Sequence, residues 1–252
     1  MLTYRTYVNE TKDVISYEIF YKETALLVRA PRNFSTKILR TLISLRKPLE
    51  KYIEKHKEFL TSLKPISPHK DAPQIVRVMC EVAQKTNTGP MSAVAGTIAE
   101  LLGYEMLKWL KKQRLRKFLI IENGGDIFAY VDEPITVGIY AGENSPFTGK
   151  VSIKINLLNQ PLGICTSSGT VGHSLSFGKA DACVIISNSA SFSDALATAT
   201  CNLVKTENDV KTAVEFAKNF DETLFVCIIK NRLISFWSKT EQIEFHSSHN
   251  KL

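Results

Sequence analysis

Residues 89–93, which are mostly small and precede a helical pattern, form the first segment that could bind a ligand. Proline favours the first turn of a helix, where backbone amides lack helical acceptors. Such amides suit a phosphate, and the helix dipole adds to the attraction. We therefore expect phosphate contacts here, with capping and close helix packing as the simpler alternative. The candidate backbone groups are those of Gly89, Met91, Ser92 and Ala93.

A tight turn between two apolar runs is the second candidate. The chain reads Asn123-Gly124-Gly125-Asp126 at this point. Asn-Gly between apolar runs is a strong hairpin signal, so an ordinary turn is one interpretation. The other places the side chain of Asn123 or Asp126 at a strand end, where it faces a ligand.

A loop rich in hydroxyl groups and glycine is the third candidate. Such a loop can form a nest of amides around an anion. His173 lies within it and could bind phosphate or act as a general acid or base. The remaining histidines, His56, His69, His246 and His249, lie in charged or terminal stretches and are expected on the surface. The loop residues chosen as ligand contacts are Thr166, Ser167, Ser168 and Gly169.

Asp194 and Thr198 form the fourth candidate. They lie four residues apart in a segment that strongly favours helix, and so share one helix face. A carboxylate and a hydroxyl offer the hard oxygen ligands that Mg²⁺ prefers. The simpler alternative is that Asp194 lies near a helix N-terminus and interacts with its dipole.

Composition limits the class of protein. The 252 residues are 44% hydrophobic and 23% charged, as is typical of a globular chain. An uncharged apolar run of membrane-spanning length is absent, and the N-terminus lacks a signal-peptide core. We therefore expect a cytoplasmic protein without a membrane segment. Its five cysteines lie far apart and form no CxxC pair, which argues against a disulfide framework or a zinc site and favours buried thiols.

Positive charge is concentrated in two stretches. Residues 1–70 hold 14 Lys and Arg against 7 Asp and Glu, which accounts for the net charge of +7. Residues 108–117 hold six cations around Trp109. Such charge could attract a nucleotide or nucleic acid. A solvated surface is the simpler interpretation, because no nucleic-acid-binding signature accompanies the charge.

The elements that must position these segments follow from apolar patterns. Two units have the order helix, strand, tight turn, strand; one spans residues 88–130 and the other residues 208–237. They predict an α+β fold in which antiparallel hairpins pack on helices. Before them, residues 3–30 are expected to form strands. Ser35 is expected to cap one helix and Pro48 to begin a second. A proline-rich linker should cover residues 64–73.

These patterns divide the chain into two regions. Residues 1–73 are expected to supply N-terminal strands and basic helices that wrap a core formed by residues 74–252. We expect the two regions to form one domain. The exposed hairpins would also permit a homodimer.

Four motifs in this order resemble an uncharacterised family of the ApbE-like superfamily, and the resemblance spans the whole chain. The motifs are GPMSAVAG, ENGGDIF, TSSGTVGHSLSFGKAD and SDALATA. The better-known branch comprises the FAD:protein FMN transferases, which split the FAD pyrophosphate with Mg²⁺ and attach FMN to a protein threonine. The resemblance implies an α+β fold of two related halves.

The resemblance also implies residue roles. Asp194 and Thr198 match the magnesium ligands of the transferases, and His173 matches a histidine ahead of their D-P-x-T-G motif. Residues 124–127 match their GG[DN]I strand end, and residues 166–169 resemble their TSG segment. This chain lacks the D-P-x-T-G motif and the lysine of their G-G-x-x-K-G helix start.

The resulting hypothesis is an ApbE-like protein that binds a flavin or another nucleotide. Asp194 and His173 would be catalytic in Mg²⁺-dependent cleavage of the FAD pyrophosphate, with or without FMN transfer to a threonine of a protein partner. The alternative is a non-catalytic protein that binds a nucleotide or another cofactor.

Overall fold

The computed structural model describes residues 12–170 and 178–247, and its helices and antiparallel strands confirm the predicted α+β class. Two short 3-10 turns, Pro90–Ala93 and Glu207–Asp209, lead directly into helices. In chain order the strands and helices are β1 (Ile15–Tyr21), β2 (Thr24–Ala30), α1 (Ser35–Lys55), α2 (Lys57–Thr61), α3 (Gln74–Thr86), α4 (Val94–Lys112), β3 (Leu119–Asn123), β4 (Asp126–Tyr130), β5 (Ile135–Gly138), β6 (Val151–Ile155), β7 (Leu162–Ser167), β8 (Ala182–Ser187), α5 (Ala190–Leu203), α6 (Val210–Lys218), β9 (Phe225–Lys230), β10 (Leu233–Ser238) and β11 (Ile243–Ser247).

Eight strands form one antiparallel sheet in the order β1-β2-β3-β4-β7-β8-β9-β10. Strands β3 and β8 lie inside it, and all their residues are buried. Strands β1 and β10 form its edges and are more exposed. A smaller sheet has the order β11-β6-β5. Strand β2 pairs with β3, so strands from both predicted regions share the large sheet.

The large sheet separates two apolar cores, because side chains alternate between the faces of a strand. Ile121 and Phe128 point into the core that the helices cover. Ile120 and Ile127 point into the core shared with the small sheet. Helices α4 and α5 pack on the middle of the large sheet, and α6 packs on β9 and β10. A strand residue in the middle of the sheet can therefore reach α4 and α5 from one face only.

Both predicted helix–strand–turn–strand units are confirmed. The first is α4, β3 and β4, and the second is α6, β9 and β10. A structural relation between the two halves stays a prediction, as does the domain boundary at residue 73. All five cysteines are buried and none forms a disulfide, in agreement with the expected buried thiols. No helix in residues 12–170 and 178–247 has the length and apolar character needed to cross a membrane.

The predicted helix break at Pro48 is wrong. One helix, α1, continues through this proline. Its buried residues Ile38, Leu42, Leu49 and Tyr52 keep helical spacing on both sides of the proline. Packing of this stripe outweighs the hydrogen bond that proline cannot donate. The capping role predicted for Ser35 is wrong too, because Phe34 is the N-cap residue and the Ser35 amide donates to Asn33 Oδ1 at 2.9 Å.

The segment that begins at Gly163 was predicted to hold a small-residue loop, and this prediction is wrong for residues 163–167. They belong to β7, which pairs with both β4 and β8. The small residues of this strand made it difficult to predict from the sequence. A Cβ atom on Gly163 would lie 2.3 Å from the Cα atom of Ala190, so glycine here allows α5 to rest on the sheet. By contrast, residues 64–73 form neither helix nor strand and connect α2 to α3, in agreement with the predicted linker.

Candidate functional site

Two buried aspartates, Asp126 and Asp194, interact between the large sheet and its helices. Their exposed fractions are 8% and 9%. Asp126 begins β4 and lies on the same face as Phe128, which is the face that α4 and α5 cover. Burial raises the pKa of Asp126, and the negative charge of Asp194 on α5 raises it further. The fold thus brings together two carboxyl groups that are far apart in sequence.

A two-glycine hairpin positions the first of these carboxyl groups. Gly124 and Gly125 have φ angles of +65° and +102°, and the side-chain-free backbone tolerates these values. The turn places Asn123 directly opposite Asp126. Asn123 is also buried, and its amide nitrogen donates to the Ala95 carbonyl at 3.1 Å. The motif therefore forms the predicted hairpin turn, and its flanking polar residues lie at the strand ends that face the helices. Contact of Asn123 or Asp126 with a ligand stays a prediction.

The first turn of α4 holds the second carboxyl group. Oδ2 of Asp194 accepts a hydrogen bond from the Gly96 amide at 2.8 Å, and the Ala95 amide also donates to this carboxyl group. These amides belong to the start of α4, where no helical acceptor is available. Asp194 therefore caps α4 from a neighbouring helix, and the favourable helix dipole acts on its carboxylate.

Close contact between α4 and α5 makes this geometry possible. A Cβ atom on Gly96 would lie 2.3 Å from the Ala190 carbonyl oxygen and 2.7 Å from the Asp194 Cβ atom. Any side chain at Gly96 would push the two helices apart. Gly96, which lies in the predicted helix start, therefore allows the carboxylate of Asp194 to approach α4.

The predicted phosphate contacts at residues 89–93 are only partly available. The Ser92 amide donates to the Gly89 carbonyl at 3.1 Å, so the expectation of a free amide is wrong for this residue. A Cβ atom on Gly89 would lie 1.8 Å from the Ser62 carbonyl oxygen, which indicates a packing role for this glycine. Ligand contacts of Gly89, Met91 and Ala93 stay predictions.

Burial sets the electrostatics of the aspartate pair. Burial raises the pKa of Asp194 to about 7, although the amides of Gly96 and Ala95 lower it. Burial also raises the pKa of Asp126 well above its usual value, and the charge of Asp194 adds to the effect. The Cys165 thiol and the Thr166 amide hydrogen-bond the Asp126 carboxyl group and lower its pKa. Two such groups favour a shared proton or a bound cation.

The available ligand atoms fit a hard divalent cation. Oδ1 of Asp126 is buried and has no hydrogen-bond partner among the described residues. A buried acceptor without a donor is costly, and a cation would remove that cost. Thr198 is half-buried and follows Asp194 by one helical turn on α5. Carboxylate and hydroxyl oxygens are ligands that Mg²⁺ accepts.

The loop after β7 begins beside the aspartate pair, but its amides have protein partners. The Gly169 amide donates to Ala180 O at 2.9 Å, and the Thr170 amide donates to Ser168 Oγ at 3.1 Å. A phosphate at the described part of this loop would therefore meet mainly hydroxyl groups. Ser167 is buried, and Ser168 is half-buried. His173 lies outside the described residues, so its predicted role is untested.

Sequence reasoning missed Glu100, which fixes the start of α5. Its Oε2 accepts hydrogen bonds from Ser189 Oγ, the Ser191 amide and Ser191 Oγ, at 2.7 to 2.9 Å. The only available signal was an acidic residue within an otherwise apolar stretch of α4. Because Asp194 lies in the first turns of α5, Glu100 helps to position it.

The family comparison covers most of the chain. A family model described as "AbpE bacteria" matches residues 5–223. A UPF0280 protein of Methanococcus vannielii is 41% identical over 212 residues, which cover 82% of this chain and 83% of the relative. A UPF0280 protein of Methanocella arvoryzae is 37% identical over 232 residues, which cover 92% of each chain.

Solved structures of low sequence identity share the fold. The ApbE protein of Thermotoga maritima has a TM-score of 0.58 at 11% identity, covering 88% of this chain and 96% of its own. The flavinyl transferase ApbE of Pseudomonas stutzeri has a TM-score of 0.56 at 15% identity, covering 89% of this chain and 94% of its own. The family match and the relatives together show that this chain belongs to the ApbE-like family of the UPF0280 proteins.

Proposed function

We propose that the chain binds a flavin nucleotide, or another nucleotide with a pyrophosphate, beside Asp126 and Asp194, and cleaves FAD in a Mg²⁺-dependent reaction. The observation that carries this proposal is Oδ1 of Asp126, which has no hydrogen-bond partner in the described part of the chain and lies near a second buried carboxyl group. The fold shared with a flavinyl transferase supports the choice of a flavin substrate.

Asp194, Thr198 and Asp126 would hold the ion. The first two are the ligands implied by the resemblance to the transferases, and Asp126 is added because the structure brings it to Asp194. When bound, Mg²⁺ neutralises negative charge on the pyrophosphate oxygens and on the leaving phosphate.

The protein's own groups preorganise these ligands. The amides of Ala95 and Gly96 orient the carboxylate of Asp194. The Asn123 side chain holds the Ala95 carbonyl, which ties the hairpin to the start of α4. Such fixed polar groups need little reorganisation when charge develops on a substrate. His173 keeps its predicted role in proton transfer or charge stabilisation.

The reaction exchanges one phosphorus–oxygen bond for another. An oxygen of water, or of a threonine on a protein partner, attacks the phosphorus on the FMN side of FAD. The bond to the bridging oxygen breaks, and AMP leaves with that oxygen. Water as the attacking group yields FMN and AMP, whereas threonine yields a protein-bound FMN and AMP.

A non-catalytic nucleotide-binding protein is the second candidate. The specific observation in its favour is the helix start, where the Ser92 amide is already bonded and the lysine of the transferases is absent. Such a protein would retain Mg²⁺-dependent nucleotide binding without turnover.

The test is chromatography of FAD incubated with the purified protein, with and without Mg²⁺. Asp194→Asn removes a candidate ligand, whereas Asp221→Asn alters an exposed carboxylate and is the matched control. We expect FMN and AMP to form only with Mg²⁺, to be lost in Asp194→Asn and to be retained in the control.

Intact FAD under all conditions would overturn the cleavage proposal. Equilibrium dialysis of FAD on the same proteins would then decide for the second candidate. Mg²⁺-dependent binding that requires Asp194 would support a nucleotide-binding protein, and absence of binding would reject both candidates.

A further inference from the structure

A second cluster of metal-ligating side chains lies outside the aspartate site. One potential ligand atom from each of His56, Glu58 and His69 lies within 4.8 Å of the others. In residues 12–170 and 178–247, this is the one group of three or more His, Cys, Asp or Glu residues arranged in this way. The two histidines come from the α1–α2 junction and from the extended segment after α2. The cluster contains no cysteine and so differs from the cysteine-ligated zinc site that the cysteine spacing argues against.

Packing holds the two imidazole rings together. The rings of His56 and His69 stack with centroids 4.0 Å apart and planes at 26°. The ring of Tyr52 packs against His56 at 4.4 Å, and its hydroxyl oxygen accepts a hydrogen bond from the His69 amide at 3.3 Å. Tyr52 itself is buried. The two histidines of the cluster therefore contact a buried side chain of the protein core.

The third ligand is available without rearrangement of the backbone. Nδ1 of His56 lies 3.7 Å from Oε1 of Glu58, whose side chain is exposed and can change rotamer. Ligands of a tetrahedral zinc ion at about 2.0–2.1 Å would lie roughly 3.4 Å from one another. The ligand atoms, which lie within 4.8 Å of one another, must approach by up to about 1.4 Å, and the two stacked rings must turn so that their nitrogen lone pairs converge on one ion; side-chain rotation can supply both changes.

The chemistry of the ligands selects the class of ion. Imidazole nitrogens suit Zn²⁺ and related transition metals, whereas Mg²⁺ requires oxygen ligands. Two histidines and one glutamate fill three positions of a zinc site, and water can take the fourth. A cation would also offset the negative charge of Glu58. The preference of imidazole for a transition-metal ion distinguishes the cluster from the aspartate site, whose oxygen ligands suit Mg²⁺.

We propose that His56, Glu58 and His69 form a Zn²⁺ site that fastens the extended segment to the end of α1. The backbone between these ligands includes Ser62, whose carbonyl oxygen lies where a Cβ atom of Gly89 would be. Helix α2 also packs against the Pro90–Ala93 turn. Zinc at the cluster thus stabilises the segment that supports the approach to α4.

Isothermal titration of the metal-free full-length protein with Zn²⁺ tests this proposal. We expect one equivalent to bind and the thermal midpoint to rise. When Co²⁺ is added to the metal-free protein in place of Zn²⁺, the bound ion should show the visible absorption that nitrogen ligands produce. His69→Ala and Glu58→Gln should each weaken zinc binding by at least about tenfold. Both residues are exposed, so each variant should melt as the wild type does without metal.

The matched control is His246→Ala. His246 is exposed and lies 3.2 Å from Glu244, so it offers a histidine–glutamate pair outside the cluster. This variant should bind zinc as the wild type does. The proposal is overturned if zinc does not bind, if His69→Ala and Glu58→Gln bind it normally, or if the control loses the same affinity.

Discussion

The replacement Asp194→Asn should make the metal-free protein more stable near neutral pH, although it removes a proposed functional group. Asparagine retains an oxygen that can accept the Gly96 hydrogen bond. Its amide nitrogen can donate toward Asp126, whose Oδ1 lacks a partner among the described residues. The substitution therefore preserves the hydrogen bond and removes the buried ionisation.

The magnitude follows from the pKa of Asp194, which burial raises to about 7. An aspartate in the unfolded chain has a pKa of about 3.9, so folding favours the protonated form. The stabilising effect is complete below about pH 4 and is lost as the pH rises to about 7, where the folded state also ionises. A difference of about three in pKa corresponds to about 4 kcal/mol in the free energy of unfolding.

Urea unfolding at several pH values, with a chelator present, measures this effect. Fluorescence of Trp109 and Trp237 can report the transition, because both residues pack against the core on the helix side. From about pH 4 to pH 8 the wild type should lose about 4 kcal/mol more than Asp194→Asn. Added Mg²⁺ should restore stability to the wild type at pH 8 and leave the variant unchanged.

A parallel pH dependence of the two proteins would refute the reasoning. It would mean that Asp194 ionises in the folded state as it does in the unfolded chain. Asp221→Asn is again the control, since its exposed carboxylate should leave the pH profile unchanged.

The remaining predictions concern the helices that hold the aspartate. Gly96→Ala should lower the free energy of unfolding by about 1–3 kcal/mol, because its Cβ atom would overlap the Ala190 carbonyl at 2.3 Å; an unchanged urea midpoint would contradict the close contact. Glu100→Ala should cost about 2 kcal/mol, because three donors at the start of α5 lose their acceptor. Its control is Glu105→Ala, which removes only an exposed pair with Lys108, and equal urea midpoints for the two variants would contradict the role of Glu100.

Local signals predicted the hairpin and the helices beside it. Asn123 and Gly124 mark a turn by their own backbone preferences, so the β3–β4 hairpin was accessible from sequence. The apolar periodicity of α4 and α6 was also sufficient. Residue types and a family resemblance drew attention to Asp194 and Asp126, but as separate motifs.

The sequence did not reveal which of these motifs meet. The pairing of Asp126 with Asp194 depends on how α5 crosses the large sheet, and the close approach at Gly96 is a tertiary contact. Likewise, His56 and His69 looked like ordinary surface residues, because the stacking of their rings requires the chain after α2 to return to α1. Pro48 was predicted to begin a second helix because proline favours the first turn of a helix. Packing of α1 on the core outweighed this local preference.

The length of the β3–β4 turn determines which core receives a carboxyl group. With two residues in the turn, Asp126 faces α4 and α5. A strand that shifts by one residue exchanges its two faces. A single inserted residue that shifted β4 would aim Asp126 at the small sheet and turn Ile127 toward the helices. Insertions in this hairpin should therefore be tolerated in pairs rather than singly, a parity rule that sequence comparison within the family can examine.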